Sequence, residues 1–204
     1  NFFAIGKWKF IISAIKKKIV FNFRKNDIEN GGEGAPLTPI FHKHLIKSIK
    51  IELPACILNI GGISNLTVIS NLKNNDIKSK DVGPGNCLIN AWIQNNTSEK
   101  FDLDGKISNR GRINEVILEQ ALELHENNFQ KKNSISLDTN DFDISFARGL
   151  NLEDGAATLT AFSAKIISSQ IYSLIKEYDK KDIKIIVCGG GRKNISLVNQ
   201  IKLN

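Results

Sequence analysis

Ala55-Cys56-Ile57-Leu58-Asn59-Ile60, then Gly61-Gly62, then Leu66-Thr67-Val68-Ile69, is the stretch on which the fold turns. The first run is almost wholly apolar and too short for a core helix, so it reads as a buried strand. Gly61-Gly62 interrupts it, and Leu66–Ile69 is apolar and β-branched, so the two runs read as a hairpin. Towards the C terminus, Ile77–Val82 is a third strand candidate, Gly83-Pro84-Gly85-Asn86 forces a turn, and Cys87–Gln94 has helical character. Ile113, Val116, Ile117, Ala121 and Leu124 predict an amphipathic helix. Leu159, Phe162, Ile166, Ile167, Ile171, Leu174 and Tyr178 predict a longer one starting near Asn151. Ile183–Cys188 is a further buried strand. Gly189-Gly190-Gly191 follows it, and Asn194 caps a last helix through Leu203. Asp138–Asp143 reads as a surface loop. Towards the N terminus, a helix is expected over about 37–49 with Pro36 in its first turn. Before it lie the Gly-rich loop Asn30–Pro36 and a short strand Ile19–Phe23. An antiparallel meander, then helices, then a strand crossing back is an α/β pattern with a mixed sheet.

The 204 residues suit one large domain, or one domain and part of another. With 41% hydrophobic and 24% charged residues, neither a disordered tail nor a coiled coil is expected. No apolar run approaches the roughly 18 residues of a membrane-spanning helix, so no membrane partner is expected. Lys+Arg 28 against Asp+Glu 21 gives a formal charge of +7. The lysines are scattered, and no basic run is interleaved with aromatics. The charge therefore reads as general composition, not as a nucleic-acid surface. Cys56, Cys87 and Cys188 lie in or beside apolar runs without CxxC spacing, which fits reduced thiols of a cytoplasmic protein. His42 and His44 lack a third nearby ligand, so no metal site is assigned. The stretch Asn1–Lys18 resembles a signal peptide only superficially. The chain has no Met and begins with Asn1, so an internal fragment is the expectation.

Three strand ends carry glycine: Asn59-Ile60-Gly61-Gly62, Asp81-Val82-Gly83-Pro84-Gly85-Asn86 and Cys188-Gly189-Gly190-Gly191. Open α/β sheets bind ligands at the carboxyl ends of their strands. Glycine lets backbone N–H groups approach an anion closely. Each turn alone is more often a simple connection, but three in one chain point to a nucleotide-phosphate cradle. Asp81, held before the Gly-Pro-Gly turn, suits a general base near a sugar hydroxyl; the alternative is a carboxylate capping the next helix. Arg24 can grip a carboxylate or phosphate bidentately, or pair with Asp27 to tie down the loop.

In order, these motifs resemble one family. Phe23-Arg24-x-x-Asp27 with Gly31-Gly32-x-Gly34-Ala35-Pro36-Leu37-x-Pro39 comes first, then Leu58-Asn59-Ile60-Gly61-Gly62-x-Ser64-Asn65. Asp81-x-Gly83-Pro84-Gly85-Asn86 follows with Ala91-Trp92-Ile93, then Asp102-x-Asp104-Gly105, and last Val187-Cys188-Gly189-Gly190-Gly191-x-x-Asn194. Together they are similar to anhydro-N-acetylmuramic acid kinase over nearly the whole chain.

The resemblance implies an RNase-H-like fold of the actin, sugar-kinase and Hsp70 type, with two domains and ATP in the cleft between them. Residues 1–53 would be the tail of the first domain with its connecting helix, and 54–204 most of the second. It implies an enzyme that opens 1,6-anhydro-N-acetylmuramic acid with water and phosphorylates the 6-oxygen from ATP, in cell-wall recycling. Asp81 would be the base that activates the water. Asn59, Gly61 and Gly62 would lie at the phosphates and Gly189, Gly190 and Gly191 at the adenosine. Arg24, Asp27, Gly34, Gly83 and Gly85 would lie near the sugar. ATP with Mg²⁺ is the implied cofactor, the amino sugar and a second copy of the chain the implied partners. The family's opening Gly-Thr-Ser-x-Asp-Gly phosphate loop and its closing helix with a Glu have no counterpart here, and the turn at Ile5-Gly6-Lys7 departs from the family pattern. At Lys132–Asp138 only Ser136 fits the family's Pro-Lys-Ser pattern, with Ile135 in place of the Lys. A non-catalytic ATP-binding relic of the same fold is the alternative expectation.

Overall fold

The computed structural model describes residues 22–32, 34, 37–72, 77–129, 137–178 and 182–204. They fall into two compact units that divide between Phe41 and His42. The readings of Asn1–Lys18, of Pro36 and of Lys132–Ser136 lie outside the described residues, as does most of the proposed strand Ile19–Phe23. Its last residue is not strand, because Phe23 opens helix α1, Phe23–Glu29.

In the first unit, α1 ends in a turn built on Asp27. The Gly32 amide donates to the Asp27 carbonyl at 2.8 Å, and the Gly34 amide donates to Asp27 Oδ2 at 2.8 Å. A Cβ on Gly32 would fall 2.1 Å from Asp27 Oδ2, so the loop closes around this carboxylate only with glycine there. Gly34 has φ +72, and a Cβ there would meet Ile28 Cδ1 at 2.8 Å.

The second unit is built on a four-stranded sheet in the order β3-β2-β1-β4. The strands are β1 Ala55–Ile60, β2 Ile63–Ile69, β3 Ile77–Pro84 and β4 Lys184–Cys188. β1 pairs antiparallel with β2, from Ala55↔Ile69 to Ile60↔Ser64, and β2 antiparallel with β3. β4 pairs parallel with β1, from Ala55↔Lys184 to Asn59↔Cys188. β1, β3 and β4 therefore run the same way, and their three glycine-bearing carboxyl ends share one edge of the sheet.

Alternation along the strands sends Cys56, Leu58, Ile60, Leu66, Val68 and Val82 to one face. There they meet helix α3, Cys87–Asn96, and helix α5, Leu152–Ile175, in the main core. α5 is buried continuously from Gly155 to Ala164, and α3, helix α4 (Glu115–Phe129) and helix α6 (Ile195–Leu203) all pack against it. At the α3–α5 crossing the Trp92 indole N–H donates to the Leu152 carbonyl at 2.9 Å. Gly155 makes that approach possible, since a Cβ would stand 2.2 Å from Trp92 Cζ2. The Asn151 and Asn194 side chains accept the amides of Asp154 and Leu197 at the starts of α5 and α6, worth about 1 kcal/mol per cap. The opposite face is covered by helix α2, Pro39–Ser48, whose Ile46 packs on Ala55, Ile57 and Ile69.

This mixed sheet flanked by helices is the α/β pattern expected from the sequence, and it fits the RNase-H-like fold that the resemblance implies. Boundaries differ where a proline or a turn decides them. α2 starts at Pro39, not at Leu37, because Pro39 takes the first-turn position that suits proline. Gly83 and Pro84 continue β3, and the turn is confined to Gly85-Asn86. Tyr178 lies past the end of α5, and Ile113 before the start of α4.

Candidate active site

The glycine turns at the shared edge are locked to one another. Gly85 and Cys87 donate their amides to the Gly62 carbonyl, at 2.8 and 3.2 Å, and Asn86 donates its amide to the Gly61 carbonyl at 2.8 Å. The Asn86 side chain adds a bond from Nδ2 to the same Gly61 oxygen at 3.2 Å. Space is the second constraint. A Cβ on Gly85 would lie 2.4 Å from the Gly61 oxygen, one on Gly189 2.4 Å from the Ile60 oxygen, and one on Gly191 2.2 Å from Ile60 Cγ2. Gly189 also has φ +80, a backbone conformation that favours glycine. Gly83, at φ +134, lies under α5, where a Cβ would meet Ile166 Cγ2 at 2.7 Å.

These contacts sort the glycines. Gly83, Gly85, Gly189 and Gly191 lack side chains because protein atoms fill the space. A Cβ on Gly190 would meet nothing within 4 Å, and one on Gly62 only the Thr139 methyl at 3.5 Å. Gly62 and Gly190 are therefore the positions where backbone faces open ground. Gly190 lines a cavity of about 340 Å³ with Asn86, Asn90, Phe101, Asp104 and Lys193. The side-chain amides, one lysine and the ring of Phe101, which is 53% exposed, offer a polar and an aromatic wall. Such a wall fits a nucleoside. Among the described residues no group of three or more His, Cys, Asp or Glu is placed to hold a metal ion.

Asp81 sits on β3, in register with Asn65 of β2. Asn65 is in turn opposite Asn59, and Asn59 opposite Cys188. Four polar side chains thus cross the sheet in one row, at the level of the glycine turns and on the face of α2. The Cys188 thiol donates to Asn59 Oδ1 at 3.7 Å. Asn65 Oδ1 is buried with no hydrogen-bond partner among the described residues. Asp81 Oδ2 accepts the Leu137 amide at 2.8 Å. It does not cap α3, which was the alternative reading of its position.

Asp81, Asn59, Gly61, Gly62 and Gly189–Gly191 thus share one edge of one sheet. Arg24, Asp27 and Gly34 belong to the first unit. Sequence reasoning passed over Asn86, Asn90, Phe101 and Lys193 as site residues. Asn86 was legible, standing at the end of the Gly-Pro-Gly turn. Phe101 and Lys193 enter the cavity only through the packing of the segments that bear them. Asp102, of the Asp102-x-Asp104-Gly105 motif, is 4% exposed, and its carboxylate accepts the amides of Ile107 and Ser108 and the Ser108 hydroxyl. It ties a loop together.

A family model described as anhydro-N-acetylmuramic acid kinase matches residues 2–204. The anhydro-N-acetylmuramic acid kinase of Pelagibacter ubique is 52% identical over 198 residues, 97% of this chain and 52% of the relative. That of Zymomonas mobilis is 35% identical over 197 residues, 97% of this chain and 52% of the relative. That of Caulobacter vibrioides is 35% identical over 185 residues, 91% of this chain and 48% of the relative. The chain spans about half the length of the curated relatives it matches. With a matched segment that takes in every glycine turn and Asp81, the chain belongs to the anhydro-N-acetylmuramic acid kinase family.

Proposed function

We propose that this chain supplies the base and the nucleotide cradle of a kinase acting on 1,6-anhydro-N-acetylmuramic acid. In that reaction water adds to the anomeric carbon, the bond from that carbon to the 6-oxygen breaks, and the 6-oxygen takes the γ-phosphoryl group of ATP. The products are N-acetylmuramic acid 6-phosphate and ADP. The observation that bears this reading is the convergence of three glycine turns and one carboxylate at a single sheet edge. Asp81 takes the proton from the attacking water. Gly61 and Gly62, with the Asn59 amide, hold the phosphates, and Gly189–Gly191 with the Asn86–Lys193 cavity hold the adenosine. Mg²⁺, carried in with ATP, would neutralise charge at the phosphates beside Gly61 and Gly62. Arg24, Asp27, Gly34, and the backbone at Gly83 and Gly85 are the sugar-contact candidates that the family motifs nominate. Two domains dividing at residues 53 and 54, a cytoplasmic setting and a homodimer belong to the same proposal; no described helix is long and apolar enough to cross a membrane.

The test is Asp81→Asn in the protein at the full length of its relatives. Turnover should fall by about 10²-fold or more, as for loss of a general base, while ATP binding measured by calorimetry is retained. A wild-type rate would remove Asp81 from the base role. ATP binding without turnover in the unsubstituted full-length protein would make it a nucleotide-binding module instead.

A further inference from the structure

We propose that Asp138 is a positioning residue for Asp81, acting by holding the Leu137 amide against the Asp81 carboxylate. The inference rests on the reading of Asp81 as the base. Asp81 is half-buried, and its Oδ2 accepts from an amide 56 residues further along the chain. Among the described residues no hydrogen bond engages Oδ1, so the Leu137 bond selects one orientation of the carboxylate and leaves the other oxygen to a substrate proton. Leu137 itself lies in neither helix nor strand. What orders it is the short 3₁₀ turn Thr139–Asp141 that follows.

That turn is closed by a capping box. Asp138 Oδ1 accepts the Asn140 amide at 2.9 Å, and the Asp138 amide donates to Asp141 Oδ2 at 2.8 Å. The Asp141 amide donates back to the Asp138 carbonyl at 3.0 Å. These bonds fix the peptide plane that joins Leu137 to Asp138. They thereby hold the Leu137 Cα in place, and from there the Leu137 amide reaches Asp81 Oδ2 at 2.8 Å. The same turn lies against the glycine edge, since a Cβ on Gly62 would be 3.5 Å from Thr139 Cγ2. Asp138 is exposed, and among the described residues no hydrogen bond joins its side chain to Asp81. Its effect on the carboxylate passes through the backbone.

The experiment uses the full-length protein labelled with ¹⁵N-leucine. Asp138→Ala should lower kcat by up to about fivefold, the full effect if the stabilisation of one N-cap is lost from the barrier, with KM for ATP unchanged. Asp138→Ser keeps an acceptor for the Asn140 amide and should restore kcat. The Leu137 amide proton resonance should move in Asp138→Ala and in Asp81→Asn, and stay near its original position in Asp138→Ser. An unchanged kcat and an unchanged Leu137 resonance in Asp138→Ala would overturn the proposal. So would an Asp138→Ser variant that behaves like Asp138→Ala, because charge and not the cap would then be at work. If Asp81→Asn keeps full turnover yet moves the Leu137 resonance, the base reading fails while the Asp81–Leu137 contact stands.

Discussion

A glycine can be required by the protein itself or by something the protein binds, and the two cases respond differently to one methyl group. Gly189→Ala would force φ +80 on a residue with a Cβ and drive that carbon to 2.4 Å from the Ile60 oxygen. A loss of about 2–3 kcal/mol in urea unfolding is expected. Gly190→Ala has open space and should change stability by less than about 0.5 kcal/mol, while weakening ATP binding if the nucleotide lies on that backbone. Equal stability losses at the two positions would show that the cavity wall is not open ground. Asp27 shows the same economy in the first unit. Read in the sequence as one half of a pair with Arg24, it is the acceptor around which the Gly32–Gly34 turn closes.

Among the elements, two contacts set how the helices dock. Gly155 of α5 admits the Trp92 ring of α3, so Gly155→Ala should cost about 1–3 kcal/mol and red-shift Trp92 fluorescence as the indole is pushed towards water. On the other face, α2 is tied to the sheet by buried His42. Its Nδ1 lies 2.8 Å from Thr67 Oγ1, which in turn lies 3.3 Å from Ser79 Oγ. Burial holds the His42 imidazole below its ordinary value of 6.5. Below pH 6.5 the unfolded chain therefore binds a proton that the folded chain resists. Stability present above pH 6.5 is lost as pH falls towards the folded value. His125, stacked on Phe142 and edge-on to Phe162, is also lowered by burial, although the Glu126 charge opposes this, and it acts in the same direction. Thermal unfolding should therefore occur at a lower temperature at pH 5.5 than at pH 7.5, and His42→Gln should flatten that dependence. A steeper acid loss in the variant would contradict the assignment.

Over the whole molecule, burial also determines thiol chemistry. All three cysteines are free. Burial raises the Cys56 and Cys87 thiols to about 11, and the Cys188 thiol is raised as well, with Arg192 opposing. Thiolate is the reactive form. Iodoacetamide at pH 8 should therefore label the native protein more than tenfold slower than the urea-unfolded chain, with Cys188 first because it is the least buried. Rapid native labelling of Cys56 would mean that the sheet opens easily. The same burial explains why the +7 charge has no single focus: the core takes the apolar residues of both sheet faces, and the lysines are left to the surface by default.

The order of elements was legible because each rests on a local signal: an apolar run ended by glycine, a 3.6-residue period, an asparagine one step before a helix. The strands Ala55–Ile60 and Lys184–Cys188, the helix start near Asn151 and the cap at Asn194 are of this kind. The glycine turns and Asp81 were legible as candidates for the same reason. Their meeting was expected from their number and from the family resemblance, but the pairing that brings it about, β4 parallel to β1 across 129 residues, was not legible, since no local pattern encodes a partner at that distance. Nor did the sequence distinguish Gly190 from Gly189 and Gly191, because the difference lies in which atoms of Ile60 and Asn86 stand opposite. Local chemistry determined the elements and the residue types; the register of distant strands alone decided which of them face one another.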